Sequence, residues 1–303
     1  MRKDFYSNGK LLITGEYAVL DGAKALAIPT RYGQGLTVKE NNSGYILWKS
    51  FDFDENIWFE TKLSIPDLKV ISTSNKEISN TLQNILSAAQ ALNYTFLSNE
   101  TGLAVSTNLS FPKYWGLGTS STLINNIADW AIVDAYDLLE RTFGGSGYDL
   151  ACAKHNKPIV YQLSSYKASK VIEVDFRPSF IENLYFIYLN KKQDSREAIQ
   201  NYRNQVFDKG ILIKKISEIT KKVIIAQTIL EFEALLREHE SILSEVLHVK
   251  TIQEKLFSDY QGAVKSLGGW GGDFILATGN EKTPEYFKSK GYDVIIPYQE
   301  MVL

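Results

Sequence analysis

The sequence predicts an α+β fold, and three observations lead to it. Strand and helix patterns are mixed along the chain without the regular strand–helix alternation of a doubly wound sheet. Of the 303 residues, 44% are apolar and 22% are charged, which is typical of a globular protein with a packed core. This length is enough for one large domain or for two ordinary domains that share an interface.

The first part of the chain is predicted to be mainly strands. Residues 10–14 are a short apolar run that ends at Gly15, which is typical of a buried strand. Residues 76–92 repeat apolar side chains at helical spacing and are predicted to form a helix. Strand formers mark the remaining segments, which are 35–50 with a turn at 41–44, 57–63, and 103–109.

One long helix is predicted from Thr119 to Arg141, because apolar residues recur there at helical spacing. A short helix is expected after Gly147. Further strands are predicted at 158–163, 171–175, 184–190, 273–278 and 292–296, and further helices at 195–207, 210–226, 228–246, 251–266 and 283–290. The pair Arg177-Pro178 lies between extended segments, and proline restricts the residue before it, so we place a boundary between domains 1–178 and 179–303 here.

Composition argues against several classes of function. The net charge of −2, with a pI of about 6.0, leaves no basic stripe for nucleic acid. The single cysteine, Cys152, excludes an internal disulfide and fits a reducing compartment. The three histidines lack the spacing of zinc ligands. No stretch reaches the ~18 apolar residues of a membrane span, and the N-terminus lacks the apolar run of a signal peptide, so we expect a cytoplasmic protein.

Three glycine-bearing segments are candidates for chemistry. In the first, Lys10 opens an apolar strand that leads to Gly15, and its ammonium group must reach either water or an anion. In the second, residues 112–121, two glycines precede three consecutive hydroxyl side chains and a helix start, where an anion is stabilised. A single hydroxyl that only caps the helix is the simpler interpretation.

The third segment, residues 268–272, has four glycines in five positions, which indicates backbone pressed against a ligand or another loop, or else a flexible connector. Between the second and third segments, Asp149 falls in the first turn of a predicted helix. It either supports that helix start or faces a substrate hydroxyl close to Lys10.

In this order and spacing the segments resemble the GHMP kinases, and within them phosphomevalonate and mevalonate kinases most closely. The resemblance rests on Gly-Glu-Tyr at 15–17, Pro112 to Ser121, Gly-Ser-Gly-Tyr-Asp at 145–149 and Gly-Gly-Asp at 271–273. It implies a ribosomal-S5-like α+β N-terminal domain, a ferredoxin-like C-terminal domain, ATP and Mg²⁺ as cofactors, and a small-molecule substrate. It leaves open whether the protein is a monomer or a homodimer.

The resemblance also implies roles for single residues. Lys10 and Asp149 would be catalytic, and Ser120 and Glu140 would hold the metal. The nucleotide would bind Gly116, Leu117, Gly118, Thr119, Ser120 and Ser121. The substrate would contact Glu16, Tyr17, Ser146, Ser195, Arg196, Gly269 and Gly271.

The chain departs from the family pattern at Trp270, which stands where the family has a glycine. We expect this ring to narrow or reshape the cleft. Two alternatives therefore stay open beside mevalonate or phosphomevalonate phosphorylation. One is another GHMP acceptor, homoserine or a sugar, and the other is a catalytically silent relative that binds a ligand or a partner.

Overall fold

The computed structural model describes residues 2–98, 101–164, 169–192 and 195–303, without the side chains of residues 195 and 196. The strands are β1 (Arg2–Thr14), β2 (Ala25–Glu40), β3 (Tyr45–Phe51), β4 (Ile57–Ser64), β5 (Val70–Thr73), β6 (Leu103–Leu109), β7 (Ile159–Leu163), β8 (Ser169–Glu173), β9 (Leu184–Tyr188), β10 (Val264–Ser266), β11 (Phe274–Thr278) and β12 (Ile295–Pro297). The α-helices are α1 (Lys76–Leu92), α2 (Thr119–Ala131), α3 (Ala135–Thr142), α4 (Tyr148–Lys154), α5 (Ser195–Arg203), α6 (Lys209–Ile225), α7 (Ile229–Leu247), α8 (Ile252–Leu256), α9 (Thr283–Ser289) and α10 (Tyr298–Met301).

Two sets of segments each form a unit of their own. The first comprises Met1–Gly9, Tyr32–Lys113 and Leu117–Lys154, and the second comprises Lys10–Arg31, Tyr114–Gly116 and His155–Leu303. Strands β1 and β2 therefore contribute to both units. These units divide the chain elsewhere than at residue 178, and the division into domains 1–178 and 179–303 stays a prediction.

The first unit packs helices against a mixed sheet. Strand β6 pairs with β3 in parallel and with β2 in antiparallel orientation, and β4 and β5 extend the sheet beyond β3. Buried strand residues such as Trp48 and Phe59 share one apolar core with helix residues such as Leu82 and Ile124. Helix α2 contacts α1, α3 and α4, so this core fixes the start of α2 relative to the sheet.

The second unit contains a four-stranded antiparallel sheet in the order β10-β11-β9-β12. Along the chain its elements follow a strand, helices, two strands, a helix and a strand. This is the ferredoxin-like arrangement that the resemblance implied for the C-terminal part, and the topology confirms it. Aromatic residues around Phe257 and Phe287 fill the core on one face of this sheet.

Several predicted elements are confirmed, among them the helix at 76–92 and the strand at 103–109. The single helix from Thr119 to Arg141 is wrong. Helix α2 ends at Ala131, and its C-cap residue Ile132 has a left-handed φ of 56°. Asp134 then caps the separate helix α3 by accepting from the N–H groups of Tyr136 and Asp137. The apolar periodicity runs through both helices because both pack on the same core, so the sequence pattern hides the break.

The helix predicted at 251–266 is also wrong, because only Ile252–Leu256 is helical and Val264–Ser266 is a strand. Strand β10 forms by pairing with β11, ten residues further along the chain. A Cβ atom on Gly262 would overlap the carbonyl oxygen of Thr278, so glycine is needed where the chain enters this pairing. Within the described residues, none of the helices is both long and apolar enough to cross a membrane.

Candidate functional site

The glycine-rich loop before α2 ends in an unusual helix start. The N-cap residue is Gly118, with a left-handed φ of 91°, and it has no side chain that could accept a hydrogen bond from the first turn. In contrast, the long helices α1, α6 and α7 are capped by side chains, those of Asn75, Asp208 and Thr228. The simpler interpretation, in which a hydroxyl only caps α2, is therefore wrong. The first N–H groups of α2, with the hydroxyls of residues 119–121 beside them, are available to an anion.

The same loop meets the third glycine-bearing segment. Gly116 has a φ of 70°, and a Cβ atom built on it would lie 2.5 and 2.6 Å from the two carboxylate oxygens of Asp273. Asp273 itself has a left-handed φ of 53°. At Gly116 the close approach is to a carboxylate of the chain itself, and the approach of this backbone to a ligand stays a prediction.

Buried polar side chains hold α2 in place, and the sequence reasoning missed them. Ser7 donates to Asn126 at 2.7 Å and accepts from Asn125 at 2.9 Å. Thr122 donates to the side chain of Gln34 at 2.7 Å, and Asn126 donates to its carbonyl at 2.9 Å. Two adjacent asparagines inside an apolar helix pattern are the signal that could have revealed this network, because buried amides require partners.

The predicted catalytic and metal-binding side chains occupy different units. Lys10 is half-buried in the part of β1 that belongs to the second unit. Asp149 is half-buried in the first turn of α4, Ser120 is exposed in the first turn of α2, and Glu140 is exposed on α3. These three belong to the first unit, where α2 contacts both α3 and α4. The joint use of all four residues in one site stays a prediction.

The predicted substrate-binding residues differ in accessibility. Glu16 is 1% exposed, Tyr17 is 7% exposed and Ser146 is 8% exposed. Gly269 is half-buried and Gly271 is exposed. The side chains of Ser195 and Arg196 lie outside the described residues. Because Glu16 is buried, its side chain contacts other residues of the protein. Its direct contact with a substrate stays a prediction, and its burial argues against that contact.

Glu16 belongs to a buried cluster of ionisable groups in the second unit. Its carboxylate accepts from the Lys265 ammonium group at 2.5 Å, and the same ammonium lies 3.7 Å from Glu240. The N–H of Gly15 donates to Nε2 of His239 at 3.0 Å, so that nitrogen carries no proton. Lys265 and His239 are fully buried. No sequence motif marked Lys265, which is the middle residue of the three-residue strand β10.

Burial is the main cause of the pKa shifts in this cluster. It raises the pKa of Glu16 to about 7, although the Lys265 charge acts in the opposite direction. It raises the pKa of Glu240 to about 8, again against the Lys265 charge. Burial and the neighbouring Lys265 charge hold the pKa of His239 well below its usual range. His239 is therefore neutral at pH 7, and its contact with Glu16 at 3.3 Å is not an ion pair.

Tyr17 connects the first glycine-bearing segment to the third. Its hydroxyl accepts from the backbone N–H of Trp270 at 3.0 Å, and its ring stacks on Tyr202 with centroids 5.3 Å apart. Tyr17 and Tyr202 belong to an apolar cluster that also includes Leu243 of α7, and Trp270 packs against this cluster. The expectation that the Trp270 ring narrows a cleft stays a prediction, and part of the ring packs against the protein's own side chains.

Comparison with known proteins adds a second line of argument. No family model matches the sequence. The mevalonate kinase of Methanocaldococcus jannaschii is 20% identical over 296 residues, which cover 92% of this chain and 93% of that protein.

Solved structures extend the likeness to the fold. The Methanococcus jannaschii mevalonate kinase matches with a TM-score of 0.71 and 15% identity over 96% of this chain and 94% of that chain. The Streptococcus pneumoniae phosphomevalonate kinase, in complex with phosphomevalonate and AMPPNP, gives 0.69 and 15% over 95% of each chain. The Lactococcus lactis galactokinase complexed with galactose gives 0.66 and 13% over 95% and 88%. These likenesses confirm the predicted α+β fold over nearly the whole chain.

Proposed function

We propose that the chain is a GHMP kinase and that it transfers the γ-phosphoryl group of ATP to a small-molecule acceptor. Mevalonate and phosphomevalonate are the acceptors we propose first, because kinases for both are among the structures that share its fold. AMPPNP, an ATP analogue, is present in one of those structures, which supports ATP as the donor.

The observation that carries this proposal is the start of α2. Gly118 begins this thirteen-residue helix without a side-chain cap, and Thr119, Ser120 and Ser121 occupy its first turn. Backbone N–H groups and the positive end of the helix dipole stabilise phosphate oxygens at such a position. Gly116 lets the preceding backbone adopt its left-handed conformation, so the loop is shaped before a nucleotide arrives.

In the proposed reaction the bond between the γ-phosphorus and its bridging oxygen breaks, and a bond from the acceptor oxygen to phosphorus forms. Asp149 accepts the proton of the acceptor hydroxyl or orients that hydroxyl. Lys10 stabilises the negative charge that develops on the transferred group. These roles agree with the half-buried positions of both side chains, which reduce competition from water without closing them off.

Ser120 and Glu140 are the residues we propose for Mg²⁺. Both side chains are exposed, and hydroxyl and carboxylate oxygens, with phosphate oxygens and water, are the ligands that Mg²⁺ prefers. The bound ion would neutralise charge on the nucleotide phosphates. No group of three or more His, Cys, Asp or Glu side chains suited to a metal occurs in the described part of the chain.

An ADP-release assay tests the proposal, with mevalonate, phosphomevalonate, homoserine and galactose as separate acceptors. We expect saturable turnover with one of the first two. Saturable turnover with homoserine or galactose would show that the protein is a kinase with a different acceptor. A protein that releases no ADP with any acceptor would be a catalytically silent relative.

Three variants test the residue roles. Lys10→Met and Asp149→Ala should each lower kcat by about 10²–10⁴-fold, because each removes a group that acts in the transition state. Ser120→Ala should raise the Mg²⁺ concentration needed for half-maximal rate. The matched controls are Lys3→Met on the same strand, Asp54→Ala in an exposed turn and Ser87→Ala on α1, all exposed positions. Full activity in Lys10→Met or Asp149→Ala would refute the assigned roles.

A further inference from the structure

The turn at Gly15–Tyr17 is held in a strained conformation. Tyr17 has a φ of 58° and a ψ of −49°, which side-chain-bearing residues rarely adopt. Strain of this kind persists only where the surrounding contacts over-determine the backbone. Here three contacts come from distant segments. His239 contacts Gly15, Lys265 contacts Glu16, and Trp270 contacts Tyr17.

Lys265 is the central member of these contacts. Its side chain is fully buried, and its ammonium group donates to Glu16 at 2.5 Å and to the carbonyl of Ser266 at 2.8 Å. Lys265 is the middle residue of β10 and pairs with Leu276 of β11, so the sheet fixes the backbone of Lys265. A buried lysine is costly unless it is paired, and the partner it meets is in the first glycine-bearing segment.

Strand β10 leads directly into the third glycine-bearing segment. There the N–H of Trp270 donates to the hydroxyl of Tyr17 at 3.0 Å, which makes a second link to the same turn. Directly after the last of these glycines, the Asp273 carboxylate lies against Gly116 of the loop before α2. All three glycine-bearing segments are thus connected through contacts within the second unit.

We propose that Lys265 is a positioning residue for phosphoryl transfer. Through Glu16 it holds the strained turn, and through β10 it holds the third glycine-bearing segment, which in turn abuts the loop assigned to the nucleotide phosphates. Lys265 itself is buried and contacts neither nucleotide nor acceptor. This inference rests on the proposed function, because positioning is meaningful only if the phosphoryl transfer occurs.

A purely structural role would give a different result from a positioning role, and a charge-neutral double variant separates them. Lys265→Met alone leaves Glu16 and Glu240 buried without their cation and should lower both the melting temperature and kcat. The double variant Glu16→Gln with Lys265→Met removes both charges at similar volume and should recover most of the melting temperature. We expect its kcat to stay about 100-fold below wild type, the loss typical of a misplacement of about 1 Å, with the KM for ATP within about threefold.

The experiment compares ADP release and thermal unfolding of the whole protein in four forms. These are wild type, Lys265→Met, the double variant, and Lys255→Met, which changes an exposed lysine on α8 and should match wild type. A double variant with wild-type kcat would overturn the positioning role and leave the kinase function standing. The positioning role would also be overturned if Lys265→Met lowered both the melting temperature and kcat and the double variant restored both to the same extent. Absence of turnover in wild type would overturn the proposed function, and the inference with it.

Discussion

Raising the pH from about 6.5 to 8.5 should weaken the folded protein, because two buried carboxyl groups must lose their protons. The folded-state pKa is about 7 for Glu16 and about 8 for Glu240, while the usual value for both is 4.5. Over this window the unfolded chain has already lost these protons. The folded protein therefore binds more protons than the unfolded chain, and its free energy of unfolding falls as the pH rises.

The size of the effect follows from the same values. Two groups that titrate at about 7 and about 8 lose together about 2–3 kcal/mol of stability between pH 6.5 and 8.5, and Glu240 supplies the larger part. His239 acts in the opposite direction, because its folded-state pKa lies well below the usual 6.5. Its effect ends as the unfolded chain's imidazole loses its proton near pH 6.5, so only about 0.4 kcal/mol of it opposes the carboxyl groups within this window. Lys265 and Tyr17 are the other ionisable groups against the cluster, and the pKa of Tyr17 is raised to about 12, outside this window.

Urea unfolding at pH 6.5, 7.5 and 8.5 measures the free energy of unfolding directly. The Glu240→Gln variant should lose more than half of the pH dependence. Glu238→Gln, an exposed position on the same helix, should keep all of it. A wild-type stability that is flat or rises across this window, or an unchanged slope in Glu240→Gln, would refute the reasoning.

Two further predictions concern single contacts. Gly116→Ala should destabilise the protein by about 1–3 kcal/mol more than Gly144→Ala. Both positions have a left-handed φ, but only Gly116 faces the Asp273 carboxylate. Equal losses of unfolding free energy for the two variants in urea would contradict this. Tyr202→Phe should cost about 1.5 kcal/mol, since it removes a 2.5 Å hydrogen bond to Asp21 while Arg203 and Lys209 still pair with that carboxylate. Tyr94→Phe at an exposed position is the control, and a neutral Tyr202→Phe would show that the hydrogen bond contributes nothing net.

Local pattern along the chain was enough to predict part of the fold. The helical spacing at residues 76–92 and the strand pattern at 103–109 predicted α1 and β6 with their bounds. The glycines and hydroxyls at 116–121 predicted the turn and the helix start at Thr119, because backbone conformation and helix termini are properties of short segments. The binding of an anion there stays a prediction. The family resemblance joined these segments in the correct order.

The contacts between distant segments became visible only in the folded chain. Lys265 carries no local signal. Its contacts with Glu16 and Glu240, and the contact of Glu16 with His239, join positions that lie up to 249 residues apart. Likewise Val264–Ser266 becomes a strand because β11 pairs with it, against the helical pattern of its neighbours. Such features arise from pairing and burial between remote parts of the chain. The stabilising free energy of these contacts is released only after folding has brought the partners together.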